Sequence, residues 1–228
     1  MSTLGSWREI ADGVYVAVAE PDTVNVGLVV GSERALVVDT GSDPAQGAAI
    51  RAAAATMTDR PLAGAVVTHA HHDHFHGLVA FDDLTTIGHE SLAGTLDPAR
   101  TELRPPNRPI VVAVAIDLGD RRVEIAHLGR GHTAGDLIVV VPDAQVVFAG
   151  DLIESAGPPQ FGPDSFGAEW AATLDGLIGV MTDATLAVPG HGEPVNREFV
   201  FEQRGRIAAT AAEMTGLGPA GRPSLPLA

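Results

Sequence analysis

The stretch Thr68-His69-Ala70-His71-His72-Asp73-His74-Phe75-His76-Gly77 places five histidines and one aspartate within eight residues. Imidazole is the commonest nitrogen ligand of zinc and its relatives, and carboxylate oxygens complete such sites. A single isolated histidine reads as a core residue with its ring nitrogens satisfied. A cluster this dense does not, because burying it without a cation leaves many donors and acceptors unpaired. The spacing differs from the pair of histidines four apart that a helix would need. In an extended segment residues two apart share a side, so His69, His71 and Asp73 converge while His74 turns toward a second position. One short loop can then serve two adjacent metal ions.

Three later segments have the same character. Gly131-His132-Thr133-Ala134-Gly135-Asp136, Phe148-Ala149-Gly150-Asp151 and Pro189-Gly190-His191-Gly192 each set a ligand-type residue among glycines. Glycine there lets the backbone approach closely or adopt positive φ.

The elements that must position these groups follow from hydrophobic patterning. Val14 to Ala19, Asn25 to Val30 and Ala35 to Val38 read as short strands separated by turn residues. Ser42-Asp43-Pro44 starts a helix that runs to about Met57. Ala63 to Thr68 is a continuous apolar strand buried on both faces, and the histidine cluster begins where it ends. The second half repeats the plan: strands Ile110 to Ile116, Val123 to His127, Leu137 to Val141 and Gln145 to Ala149, a helix from about Ala168 to Val180, a strand Ala184 to Val188, then His191. The repetition suggests an internal duplication, with two sheets packed face to face, helices outside, and a site along the shared strand ends. A helix from about Arg197 to Met214 and a frayed Gly/Pro-rich tail, 216–228, close what reads as a single domain over 1–228.

Composition excludes several classes. The absence of cysteine rules out disulfides, a cysteine nucleophile and cysteine-ligated metal. A formal net charge of −15 repels phosphates and weighs against nucleic acid as a partner. The longest apolar run, Pro109 to Ile116, is too short to span a membrane. The N-terminal residues lack the pattern of a secretory signal, so the expected location is cytoplasmic.

The order H-x-H-x-D-H (His69 to His74), G-H-T-x-G-D (Gly131 to Asp136), G-D (Gly150-Asp151) and G-H-G (Gly190 to Gly192) resembles the metallo-β-lactamase superfamily from about Gly13 to Pro194. Asp39 in Val38-Asp39-Thr40-Gly41 fits the family's early D-x-G element. The resemblance implies an α/β fold, a four-layer αβ/βα sandwich with two zinc ions at the strand ends; iron or manganese would also suit. It implies that His69, His71 and His132 bind the first metal, that Asp73, His74 and His191 bind the second, and that Asp151 bridges them. Two close cations lower the pKa of a shared water to roughly 7, against 15.7 in bulk, so that hydroxide attacks a carbonyl near neutral pH. Asp73 would also hold that nucleophile in line, which makes it the catalytic residue.

Other polar groups carry plainer expectations. His72 and His76 read as rim residues, His89 and His127 as structural, Asp136 as a structural partner and Asp39 as an orienting group. Arg100, Arg104 and Arg108 lie in a solvated connector that is also the natural place to greet an anion. The loop 157–167 reads as a pocket wall or lid, and Trp170 as core.

Departures from the family's subgroups narrow the activity. Missing cysteine excludes the β-lactamases that use a Cys ligand, and Asp151 argues against those whose second site lacks a bridging aspartate. The helical glutathione-binding domain of the glyoxalase II thioesterases looks absent or minimal. The tyrosine near the site of the lactonases has no match, since Tyr15 is the sole tyrosine. The expected activity is dinuclear zinc hydrolysis of a small-molecule ester, thioester, lactone or amide. The alternatives are a mononuclear iron persulfide dioxygenase of the same fold and a β-lactam hydrolase. The oligomeric state stays open.

Overall fold

The computed structural model describes residues 2–214. Its elements run β1 (Thr3–Leu4), β2 (Arg8–Ala11), β3 (Val14–Glu20), β4 (Val24–Val30), β5 (Ala35–Val38), α1 (Pro44–Met57), β6 (Leu62–Val66), α2 (His72–Phe75), β7 (Thr85–His89), β8 (Arg108–Ile110), β9 (Ala113–Asp117), β10 (Arg122–His127), β11 (Leu137–Val141), β12 (Val146–Glu154), α3 (Gly167–Val180), β13 (Leu186–His191) and α4 (Arg197–Met214). Asp43 caps α1 by accepting from the Ala45 and Gln46 amides, and Pro44 opens its first turn, as the Ser-Asp-Pro signal predicts.

The strands hydrogen-bond in the order β8-β7-β6-β5-β4-β13-β12-β11-β10-β9, with β3 beside β4 and β1 and β2 beside β3. The ladder is almost cut between β4 and β13, which share the single pair His191↔Val24. The halves on either side of that cut fold onto each other. Side chains alternate along each strand between two environments. Val29, Leu36, Val38 and Val66 of the first half meet Val139, Val146, Phe148 and Val188 of the second in one central core. Their neighbours Leu28, Val37 and Ala65 point the other way, onto Ile50 and Ala54 of α1. Ile138, Val147 and Ala149 face Trp170, Leu174, Val200 and Ile207 of α3 and α4. Three apolar interfaces define four layers, αβ/βα, as the sequence leads one to expect.

Both halves place a helix between two parallel strands: α1 between β5 and β6, and α3 between β12 and β13. Both crossovers therefore deliver their second strand with its C-terminal end at the same edge of the sandwich. That edge carries His69 onward from one half and His191 from the other.

Four expectations need correction. The apolar run Ile110 to Ile116 is not one strand: β8 pairs with β7 in the first half and β9 with β10 in the second, so the exposed Val111 and Val112 are the crossing between sheets. β12 continues past Ala149 to Glu154, which puts Asp151 inside a strand, beside an irregularity at Gly150 (φ 52°). β1, β2 and β7 have too little alternation to be read as strands beforehand. The histidine cluster is not extended throughout, because His72–Phe75 forms a helical turn, α2. The tail 216–228 lies outside the described residues. No helix among those described is long and apolar enough to cross a membrane.

Candidate metal centre

The bend after β6 and the turn of α2 divide the cluster. His69, His71, His132 and Asp151 form one group whose ligand-type atoms all lie within 4.8 Å of one another, and Asp73, His74 and His191 form a second of the same tightness. Asp73 thus joins His74 rather than the side shared by His69 and His71, because the helical turn replaces the alternation of a strand. His72 and His76 stay outside both groups, with rings 5.9 Å apart.

The carboxylate of Asp151 lies between the groups. Its Oδ2 is 3.8 Å from His69 Nε2, 3.3 Å from His132 Nε2 and 3.6 Å from His191 Nε2, while its Oδ1 is 3.2 Å from His74 Nε2. Asp73 Oδ2 is 3.6 Å from His74 Nε2 and 3.4 Å from His191 Nε2. Close approach here depends on glycine. A Cβ on Gly190 would fall 1.8 Å from Asp151 Oδ1, and one on Gly150 would fall 2.6 Å from Thr68 Oγ1.

Partners behind the rings fix which nitrogen faces inward. His74 Nδ1 is 2.8 Å from Asp39 Oδ2, and Asp39 also accepts from the Thr68 amide and hydroxyl. His71 Nε2 is 2.9 Å from Asp164 Oδ2, and His132 Nδ1 is 3.2 Å from the Gln160 carbonyl. A carboxylate and a carbonyl only accept, so both protons sit on those outer nitrogens. The inner nitrogens, His71 Nδ1 and His132 Nε2, then present lone pairs to each other at 2.9 Å. Two facing lone pairs at that distance call for a cation between them or beside them.

Hydrogen-bond accounting makes the same demand. Among the described residues four buried side-chain nitrogen or oxygen atoms lack a partner, and three are His69 Nε2, His74 Nε2 and Asp151 Oδ1. Natural proteins leave few such atoms, so three in one place signal a ligand. The donor set of imidazole and carboxylate suits a divalent transition metal such as zinc.

Titration behaviour reflects the same field. Burial, reinforced by the charge of His74, holds His69 well below the usual histidine range, and burial takes His132 down to about 4. Burial also opposes charge on Asp73, but the His191 hydrogen bond and the charge of His74 win and bring it to about 2. Burial opposes charge on His74 and His191 as well; the carboxylates of Asp151, Asp39 and Asp73 outweigh it, lifting His74 well above its ordinary value and His191 to about 10. The two site carboxylates thus draw positive charge into the second group, and a divalent ion answers that field better than protons.

The remaining candidates sort cleanly. Asp136 is buried, accepts from the Thr133 amide and hydroxyl, and is pushed up to about 7 by burial; it braces the loop that carries His132. His89 and His127 stack with ring centroids 4.4 Å apart, away from both groups, and His89 caps a 3-10 turn. The three loop arginines do not converge: Arg100 pairs with Glu102, Arg104 bonds backbone carbonyls of Thr101 and Leu103, and Arg108 lies in β8. Trp170 is core, yet its ring also lies 5.5 Å from that of His132. The loop 157–167, expected as a pocket wall or lid, supplies Gln160 to His132 and Asp164 to His71.

Two positioning groups carried no motif. Asn25 is buried at the start of β4 and donates both amide hydrogens, to the Pro189 carbonyl at 3.0 Å and the Gly192 carbonyl at 2.7 Å, clamping the turn that presents His191. Thr68 ties Asp39 to the rings of His69 and His74. A buried asparagine in a Val-rich strand is a compositional anomaly, and that was the available signal.

Residues 19–191 match the sequence family described as the Metallo-beta-lactamase superfamily. A metallo-beta-lactamase type 2 of Bacillus sp. (strain 170) is 24% identical over 190 residues, covering 82% of this chain and 73% of that protein. The acyl-coenzyme A thioesterase MBLAC2 of Homo sapiens is 24% identical over 229 residues, covering 85% and 80%. The solved metallo-beta-lactamase from Pontibacter korlensis shares the fold with a TM-score of 0.78 at 20% identity, covering 90% of this chain and 99% of that one. With its paired His/Asp groups at the strand ends, the chain belongs to the metallo-beta-lactamase superfamily and is a metal-dependent hydrolase of that family.

Proposed function

We propose that the protein is a dinuclear zinc hydrolase that opens a small ester, thioester, lactone or amide. His69, His71 and His132 would hold one ion and Asp73, His74 and His191 the other, with Asp151 available to both. The observation that carries this reading is the convergence of two adjacent ligand groups on partnerless buried atoms of His69, His74 and Asp151. A pair of bound divalent ions supplies electrophilic polarisation of a carbonyl and acidification of water.

The chain's own residues supply the rest. Asp73, held at about 2, is ionised throughout the neutral range and accepts a hydrogen bond from attacking water. Asp39 and Asp164 keep ring protons on the outward nitrogens of His74 and His71, so the inward ones stay free as donors of lone pairs. The strand pairing that runs from β8 to β9, thinned to one pair between β4 and β13, supports reading the described residues as one domain.

Metal analysis of the purified protein, with a panel of thioester, lactone, simple ester and β-lactam substrates, tests this reading. The thioester and β-lactam arms follow the names of the MBLAC2 and Bacillus relatives. Two zinc ions per chain and turnover of at least one acyl substrate support it; one iron with oxygen uptake on persulfide overturns it. Asp73→Ala is expected to abolish hydrolysis and lower metal content, and activity that survives with both ions retained would remove Asp73 from its role.

A further inference from the structure

The two ligand groups are braced from different parts of the fold. Behind the second group, His74 is fully buried and bonded to Asp39, itself in the core at the end of β5. Behind the first, two of three imidazoles lean on the surface loop 157–167, through Asp164 to His71 and through Gln160 to His132. The loop touches that side of the site repeatedly. Ser165 Oγ donates to the His132 carbonyl at 2.9 Å, the Phe166 amide donates to the Gly131 carbonyl at 2.8 Å, and the Arg130 guanidinium lies 4.3 Å from the Phe166 ring centre. The Gly162 amide donates to Ser165 Oγ, which stiffens the turn that carries Asp164.

We propose that Asp164 is a positioning residue for one metal position only, the one formed by His69, His71 and His132. The inference rests on the dinuclear reading and concerns how its first position is assembled. A neutral imidazole has one N–H and one lone pair, and only the nitrogen with the lone pair can serve as a ligand. His71 faces the group through Nδ1 and Asp164 through Nε2, each contact being 2.9 Å. The acceptor-only carboxylate selects the Nε2–H form and thereby frees Nδ1. His71 is itself partly exposed, so apart from Asp164 its outer nitrogen would face water, which accepts or donates equally well. Asp164 makes no hydrogen bond to His69 or His132 among those described, and nothing from the loop touches Asp73, His74 or His191 in them. Removal of this carboxylate therefore acts on one ion and spares the other.

Zinc titrations of wild type and of Asp164→Ala and Asp164→Asn, each ion resolved by competition with a chelator, test this. Proton–nitrogen correlation spectra of the metal-free proteins report which nitrogen of His71 carries hydrogen. Asp164→Ala is expected to bind one of the two equivalents about 10–100-fold more weakly, with the other unchanged. In the same variant the His71 hydrogen should divide between its two nitrogens. Asp164→Asn keeps an acceptor oxygen without charge and should recover most of the loss. Unchanged affinities, equal weakening of both equivalents, or a wild-type His71 protonated on Nδ1 would each overturn the proposal. Should wild type bind a single equivalent, the dinuclear reading fails separately, and the spectra still decide what Asp164 does to His71.

Discussion

Oδ2 of Asp39 lies 2.8 Å from Nδ1 of His74, and its backbone holds an unusual positive φ of 62°. Aspartate tolerates that left-handed conformation better than most residues, so the strained turn after β5 is kept where its carboxylate reaches both His74 and Thr68. Asp39→Ala is expected to weaken the ion beside His74 by roughly 10–100-fold and to leave the ion beside His71 in place. Metal content after dialysis against graded chelator concentrations checks it, and equal loss of both would contradict it.

Asn25→Leu keeps the volume of a buried side chain but strips both donors from the Pro189 and Gly192 carbonyls. Leaving a buried polar group unsatisfied costs about 1–3 kcal/mol. The expected outcome is a loss of stability of that order together with a lower kcat, because His191 loses its clamp. Denaturant midpoints and steady-state kinetics measure the two effects; a stability loss with unchanged turnover would separate the clamp from catalysis.

Gly190→Ala tests the closeness of the backbone to the site. Its Cβ would collide with Asp151 Oδ1 at 1.8 Å and press on His74 Cε1 at 3.1 Å. The carboxylate must move, and displacement of about 1 Å at a catalytic group costs on the order of 10²-fold in rate. Gly179, with open space around it, is the control: Gly179→Ala should leave activity unchanged.

In the metal-free protein stability depends on pH in a defined direction. His191 is raised from 6.5 to about 10, so its contribution is complete below pH 6.5 and is lost as pH climbs through 10. Asp136, raised from 3.8 to about 7, likewise contributes in full below pH 3.8 and loses its share as pH rises through 7. Asp73, lowered from 3.8 to about 2, contributes above pH 3.8 and loses that contribution as pH falls through 2. The chelated protein should therefore lose the Asp136 share between pH 3.8 and 7 and the His191 share between pH 6.5 and 10. On the proposed ligand assignment zinc would displace the proton of His191, so the loaded protein should show a smaller fall. Thermal melts of both forms across this range give the answer, and parallel curves would show that zinc does not take the His191 position.

How far the amino-acid order spoke for itself depended on the kind of interaction. The metal-type residues declared themselves because imidazoles crowd a short segment, and the layers because Val-rich strands buried on both faces alternate with two helices. The line that divides Asp73 from His69 and His71 was implied by the family resemblance but not by strand alternation, because it depends on four residues, His72–Phe75, turning helical at the end of a strand. Asp151 was legible as a type but not in its place, since β12 runs past it behind the irregularity at Gly150. The roles of Gln160 and Asp164 could not be foreseen, and that of Asn25 was marked only by its place in a Val-rich strand, because each acts on a residue more than twenty-five positions away, and Gln160 does so through its backbone.

The near-break between β4 and β13 has a mechanical meaning. His69, His71, Asp73 and His74 belong to one half of the ladder, and His132, Asp151 and His191 to the other, with one residue pair joining the sheets there. An ion held by both sets rivets the halves together at their weakest seam. Neither half can form that rivet alone, so it tightens only once the halves have docked. An interaction that arrives after the folding barrier leaves the rate of folding nearly untouched and slows unfolding. Where docking follows the barrier, an ion bound at this seam lengthens the life of the folded protein far more than it hastens its birth.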